Sequence, residues 1–189
     1  MSRIVLEGPD HAGKTTLAKR LCTITGAKYH HPGGAPADET AERACLMEQQ
    51  LLIERAGPLV LDRVTCVSQQ VYNPNEALDP VRTRCLDTMC TSPFVFVVYC
   101  RPPNEHLVDV GNYTWRPEET EEHRQKIVTR AFEWVERYDR VMEKVPHLSY
   151  DFKDVAAAET LETALIGALT EDGLWMQWLS ATVLSGGRR

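Results

Sequence analysis

Apolar residues along this chain change their spacing repeatedly, and each change marks an element. Arg3-Ile4-Val5-Leu6-Glu7 is apolar through its middle, as a strand buried on both faces is. Thr16-Leu17-Ala18-Lys19-Arg20-Leu21-Cys22 spaces its apolar residues as one helical face does, which predicts a helix over about 14–25 with Gly26 as its left-handed stop. Ala27-Lys28-Tyr29-His30-His31 predicts a short second strand, closed by Pro32-Gly33-Gly34. A helix follows from about Asp38, a candidate N-cap, to Ala56, where Gly57-Pro58 stops it. Leu59-Val60-Leu61-Asp62 predicts a third strand that ends in charge. Helical spacing returns at 64–72 and 79–91, divided by Asn73-Pro74-Asn75. The run from Pro93 to Cys100 is the clearest buried strand. Residues 101–117, polar with three prolines and a glycine, predict a long mobile loop. A charged helix over about 118–144, a strand at 147–150 and a helix over 154–170 complete the series.

Strands alternating with helices predict a five-stranded parallel sheet wrapped on both sides, a three-layer α/β/α domain. The length suits one core, expected over residues 1–170, with a lid at about 101–124. Residues 171–189 form a separate tail. It reads as an amphipathic helix through Leu174-Trp175-Met176-Gln177-Trp178-Leu179 and on to Ser185, and then as disordered at Gly186-Gly187-Arg188-Arg189. Its apolar face would pack on its own domain, on a second subunit, or on nothing in solution. There are no internal repeats.

Charge narrows the function classes. The net charge of −6 argues against non-specific binding to nucleic acid or to a membrane surface. No apolar run is long enough to span a bilayer, and no signal peptide opens the chain. The six cysteines form no CxxC pair, and they read as reduced core thiols of a cytoplasmic protein. The six histidines carry no metal-binding spacing, and His30 and His31 would point to opposite faces of a strand.

The chemistry begins right after the first strand. Gly8-Pro9-Asp10-His11-Ala12-Gly13-Lys14-Thr15, followed by Thr16, is a complete phosphate-binding P-loop with a strand before it and a helix after it. Backbone N–H groups of such a loop turn inward around a phosphate, and the helix N-terminus adds partial positive charge. Lys14 is expected on the β- and γ-phosphates of ATP, and the Thr15 hydroxyl on Mg²⁺. Gly8 and Gly13 leave room for close backbone approach.

A second group follows the third strand, in Asp62-Arg63-Val64-Thr65-Cys66-Val67-Ser68-Gln69-Gln70-Val71-Tyr72. Parallel strands open their C-terminal ends on one edge, where the P-loop also lies. There Asp62 can hold Mg²⁺ through water, and Arg63 can clamp an acceptor phosphate bidentately. The plainer alternative makes Asp62 a helix cap and Arg63 a surface cation.

Glu7 through Ala18, together with Asp62 through Tyr72, resembles the thymidylate kinase group of P-loop nucleoside monophosphate kinases, most closely its divergent bacteriophage members. Asp62, Arg63, Ser68 and Tyr72 fall on that family's DR(Y/H/F)xxSxxAYQ-like segment, and Pro32-Gly33-Gly34 resembles its REPGG turn. The resemblance covers about residues 3–150. It implies Asp10 near the transferred phosphate, Arg63 on the acceptor monophosphate, and Ser68, Gln70 and Tyr72 against the acceptor base or sugar. It also implies a possible homodimer. His30-His31 stands where the family has Arg-Glu, and Val64 where it has an aromatic residue, so the base pocket departs from a thymidylate-specific one.

In family terms residues 101–124 are a lid that excludes water and brings an arginine to the transition state. Arg116 is the first choice. Arg101, Arg124, Lys126 and Arg130 are the other cations, each with a solvated surface role as its alternative. Trp115 would either stack on a base or pack the closed loop. Tyr150-Asp151-Phe152 would either meet the donor adenine or cap a strand. The leading activity is transfer of the ATP γ-phosphate to a (deoxy)nucleoside 5′-monophosphate for nucleotide supply, with dTMP a candidate acceptor. Two other readings are a deoxynucleoside kinase acting on a 5′-hydroxyl and a non-catalytic nucleotide-binding switch. The second would normally carry an Asn-Lys-x-Asp guanine motif, which this chain lacks.

Overall fold

A computed structural model describes residues 2–33, 36–55, 57–73, 80–108, 113, 115, 117 and 119–170 of the chain. The elements run β1 (Arg3–Glu7), α1 (Lys14–Thr25), β2 (Lys28–His30), α2 (Glu39–Glu54), β3 (Leu59–Asp62), α3 (Thr65–Tyr72), α4 (Pro80–Thr91), β4 (Val95–Cys100), α5 (Asn104–Val108), α6 (Glu121–Met142), β5 (Leu148–Tyr150) and α7 (Val155–Leu169). The five strands form one sheet in the order β2-β3-β1-β4-β5, with every pairing parallel. The expected three-layer α/β/α architecture is therefore the one observed.

Strand parity builds the two outer layers. Ile4 and Leu6 of β1, Val60 of β3, and Phe96, Val98 and Cys100 of β4 pack beneath α1 and α7. The alternate residues Val5, Leu59, Leu61, Val95, Val97 and Tyr99 pack against α2, α3, α4 and α6. Both faces of β1, β3 and β4 are buried, which explains their unbroken apolar runs. The same parity carries the polar strand ends: Asp62 continues Val60 toward α1, and Glu7 continues Val5 toward α3 and α6.

Helix boundaries follow the capping chemistry. Asp38 accepts the Ala41 N–H at 2.8 Å and Asp154 the Ala157 N–H at 3.1 Å. Gly26 closes α1 in the left-handed conformation, at φ 71°. The long charged helix starts later than its charge pattern suggests, at Glu121, because the Thr120 hydroxyl caps it through the His123 N–H at 3.2 Å.

The stretch expected as one mobile loop contains α5. Its first turn forms when the His106 N–H donates to the Pro103 carbonyl at 3.0 Å, and Leu107 is buried against Ala131 and Val135 of α6. Tertiary burial overrides the loop-like composition there. The tail at 171–189 and the Pro74-Asn75 turn lie outside the described residues.

Candidate functional site

The P-loop leaves β1 at the C-terminal edge of the sheet and enters α1 at Lys14. Gly8 has φ +143°, and a Cβ there would sit 2.2 Å from the Cys100 carbonyl oxygen, so no side chain fits. Gly13 takes the N-cap position of α1 at φ 78° with no side-chain cap, so the first-turn N–H groups are left to the loop's concave side. His11 is also left-handed, at φ 59°. Lys14 is buried and its Nζ donates to the Pro9 carbonyl. Burial, together with the nearby Arg63, pushes its ammonium down to about 8.

Asp62 crosses from β3 to meet the start of α1. Its Oδ2 accepts the Thr15 hydroxyl at 2.6 Å and the Tyr29 hydroxyl at 3.0 Å. Thr15 and Asp62 form an all-oxygen pair of the kind Mg²⁺ takes. Among the described residues no group of three or more His, Cys, Asp or Glu side chains would hold a metal alone. A cation here would need phosphate oxygens to complete its shell. Thr15 and Asp62, the two residues expected at Mg²⁺, lie within hydrogen-bond reach of each other. Tyr29, reaching in from the edge strand, was not evident from the sequence; its register opposite Val60 sets it beside Asp62.

Arg63 lies on the other side of the loop. It is left-handed, at φ 79°, a conformation that costs a non-glycine residue about 1–3 kcal/mol. Its N–H donates to Leu6 O at 3.0 Å, and the next N–H, of Val64, donates to Glu7 Oε1 at 2.6 Å. These two bonds hold the turn. The guanidinium meets Asp10 Oδ1 at 2.6 Å and lies 5.8 Å from the centre of the Tyr72 ring. Burial alone would raise the Asp10 carboxyl, but the cations Arg63 and Lys14 outweigh it and hold Asp10 below the usual range.

Glu7 is the acidic residue that the motif reading did not single out. It is fully buried, and its Oε2 has no hydrogen-bond partner. Burial pushes its carboxyl up to about 7, against the Val64 N–H bond and the Arg63 and Lys14 charges. The signal was available: an acid ends an otherwise apolar buried strand immediately before the loop.

Along α3 the outcomes differ. The Ser68 hydroxyl is buried without a hydrogen-bond partner, and the Tyr72 and Tyr138 hydroxyls are buried close to one another with no other partner. Gln70 donates back to the Cys66 carbonyl at 3.0 Å, so its amide is engaged on its own helix.

The cations expected of a lid sort by their partners. Arg101 forms a forked pair with Asp139 of α6, at 3.0 and 3.2 Å, and Tyr99 donates to the same carboxylate at 2.7 Å. Arg130 pairs with Glu133 at 2.8 Å on its own helix. Arg124 lies 5.6 Å from the Trp115 ring centre. Arg116 lies outside the described residues. Trp115 packs edge-on to His11 at 4.8 Å and stacks on Tyr113 at 5.3 Å, which is the loop-packing role of the two open to it. Phe152 passes 3.5 Å from where a Gly13 Cβ would be, and Asp151 caps its own turn through the Lys153 N–H at 2.8 Å.

No protein-family model matches this chain, and no curated protein does. Solved structures do match. One is the YorR protein of Bacillus subtilis in complex with phosphorylated GDP, 19% identical, covering 85% of this chain and 94% of that one with a TM-score of 0.59. Another is shikimate kinase from Acinetobacter baumannii in complex with shikimate, 18% identical, covering 92% and 96% with a TM-score of 0.55. At that level of identity the likeness shows the fold alone, a five-stranded parallel α/β domain.

Proposed function

We propose that this chain is an ATP-dependent phosphotransferase whose acceptor is a nucleoside 5′-monophosphate. The observation that carries the reading is Arg63, placed in a left-handed turn beside the P-loop with its guanidinium on Asp10 and near Lys14. An arginine set at some conformational cost beside a phosphate cradle suits a second phosphate group.

In this reading the loop amides and Lys14 bind the donor phosphates. Thr15, and Asp62 through water, would hold Mg²⁺, whose charge would offset that of the donor phosphates. Arg63 leaves Asp10 for the acceptor phosphate and aligns it with the γ-phosphate. An acceptor phosphate is already an anionic nucleophile, so no side chain need remove a proton. A hydroxyl acceptor would need such a base, and Arg63 would have no phosphate to clamp. Arg116 remains the proposed transition-state cation, because Arg101 and Arg130 are held in ion pairs.

The motif resemblance to thymidylate kinases supports dTMP as one acceptor, a bacteriophage origin, a place in DNA-precursor supply in the host cytoplasm, and a homodimer through the 79–91 helix or the C-terminal tail. All of these belong to the proposal. Coupled ADP release, screened across nucleosides and their monophosphates, tests the acceptor class. Turnover confined to monophosphates supports the reading, and turnover confined to nucleosides overturns it.

A further inference from the structure

The phosphate site carries more negative than positive charge before any ligand arrives. Lys14 and Arg63 face three carboxylates, Glu7, Asp10 and Asp62. Asp10 is paired with Arg63, and Asp62 accepts two hydroxyls. Glu7 is the one whose spare oxygen is buried: Oε1 holds the Val64 N–H, while Oε2 is buried without a partner. An ionised carboxylate in that state is uncompensated on one side, and protonation would turn Oε2 into a donor. The Tyr72 and Tyr138 hydroxyls, which lie within its field, are likewise buried with no partner beyond each other.

Nucleotide phosphates would add several negative charges on the same sheet edge. They would also draw Lys14 and Arg63 toward themselves and away from Glu7. Both effects disfavour the Glu7 anion. We propose that Glu7 takes up a proton from solvent, onto Oε2, when phosphate groups fill the P-loop, so that nucleotide binding is linked to protonation of this buried carboxyl. This rests on the P-loop being a nucleotide site.

The groups facing Glu7 do not offer an alternative proton acceptor. Lys14 at the start of α1 and Arg63 after β3 are cations that phosphate holds protonated. Cys66 and Tyr72 on α3, Cys100 on β4 and Tyr138 on α6 are all pushed toward their neutral forms, chiefly by burial for all but Cys66, where a hydrogen bond with Cys85 leads. Asp62 lies on the opposite face of the sheet and is already bonded to Thr15 and Tyr29. The free-state carboxyl of Glu7, at about 7, leaves it partly ionised at neutral pH and able to accept.

The test is calorimetric titration of the full chain with ATP at pH 7.5, in two buffers of different ionisation enthalpy. The wild-type protein is expected to take up about half to three-quarters of a proton more than Glu7→Gln, which keeps an oxygen for the Val64 N–H but cannot titrate. Wild-type ATP affinity should fall by up to about tenfold per pH unit above 7, relative to the Gln variant. In parallel, the Glu7 carboxyl carbon, followed by NMR in ¹³C-labelled wild-type protein, should move to the protonated position when ATP is added, whether or not the variant folds. Equal proton uptake in the two proteins, or a Glu7 signal unchanged by ATP, overturns the proposal while leaving the nucleotide site standing. Failure of wild-type protein to bind ATP overturns the phosphate-site reading itself.

Discussion

Arg63 Nη2 lies 2.6 Å from Asp10 Oδ1, joining the turn after β3 to the P-loop after β1. Neither residue is near the other in sequence. The pair keeps a guanidinium beside the phosphate cradle, compensated and ready to exchange one anionic partner for another. In the proposed reaction an incoming phosphate would replace a carboxylate and would not have to order a free side chain.

Arg63→Ala should therefore raise the acceptor KM far more than it weakens ATP binding. Loss of a charge-assisted clamp costs about 2–4 kcal/mol, roughly 30- to 1,000-fold in kcat/KM for the acceptor. Steady-state kinetics in each substrate, with ATP affinity measured separately, checks this. Because φ is 79°, Arg63→Gly should melt above Arg63→Ala, the left-handed strain of about 1 kcal/mol being absent in glycine. A reversed order of Tm would contradict the turn geometry.

Gly8→Ala should damage the fold and the site together. The added Cβ would stand 2.2 Å from the backbone oxygen of Cys100, and backbone cannot swing aside as a side chain can. Overpacking of this kind costs on the order of 3 kcal/mol, or roughly 6–12 °C in Tm for a domain of this size. Thermal unfolding and ATP binding should both decline, whereas Lys14→Ala should abolish turnover and leave the circular-dichroism spectrum intact.

How far the sequence leads is visible in these same residues. Gly8, Gly13, Lys14 and Thr15 are local in the chain and legible as a motif, although the carbonyl that bars a side chain at Gly8 belongs to Cys100 on another strand. The apolar runs of β1, β3 and β4 are legible too, since strands buried on both faces leave few polar positions. Glu7, Tyr29 and Arg101 act through partners 57, 33 and 38 residues away, fixed by strand register and helix docking. No motif spacing encodes such pairs. The α5 turn was hidden similarly, because its burial under α6 is a tertiary fact inside a proline-rich, polar stretch.

Tyr29→Phe should weaken the metal step without disturbing the fold. It removes one of the two hydroxyls on Asp62 Oδ2, a neutral partner worth about 1 kcal/mol. With Thr15 drawn onto Mg²⁺, as proposed, Tyr29 would be the donor left holding the carboxylate. The Mg²⁺ concentration for half-maximal rate should rise by roughly fivefold, with Tm nearly unchanged. Asp62→Asn should have the larger effect, and equal effects would remove Tyr29 from this role.

Stability should report the Glu7 carboxyl independently of any ligand. Its folded value, about 7, lies above that of an unfolded glutamate, so the native state binds more protons between about pH 4.5 and 7. Its contribution is therefore lost as pH rises through that window and levels off above 7. Glu7→Gln should gain stability relative to wild type across the same window, by a few kcal/mol in order of magnitude. Urea denaturation of both proteins at pH 5, 6, 7 and 8 measures the difference, and a constant difference would contradict the burial argument.

Arg101→Ala should leave kcat close to wild type. Its guanidinium is spent on Asp139, and a half-exposed pair contributes at most about 1 kcal/mol to stability. Arg116→Ala should lower kcat strongly with little change in ground-state binding, as expected for a contact made at the transition state. The opposite pattern in the two variants would make Arg101 the lid arginine.

The most direct test of the acceptor assignment follows labelled phosphate from [γ-³²P]ATP with Mg²⁺ into a mixture of nucleosides and nucleoside 5′-monophosphates. The arrangement of Arg63 beside the P-loop predicts label in the β-phosphate of a nucleoside diphosphate. Label in a nucleoside monophosphate, or in inorganic phosphate alone, would contradict it.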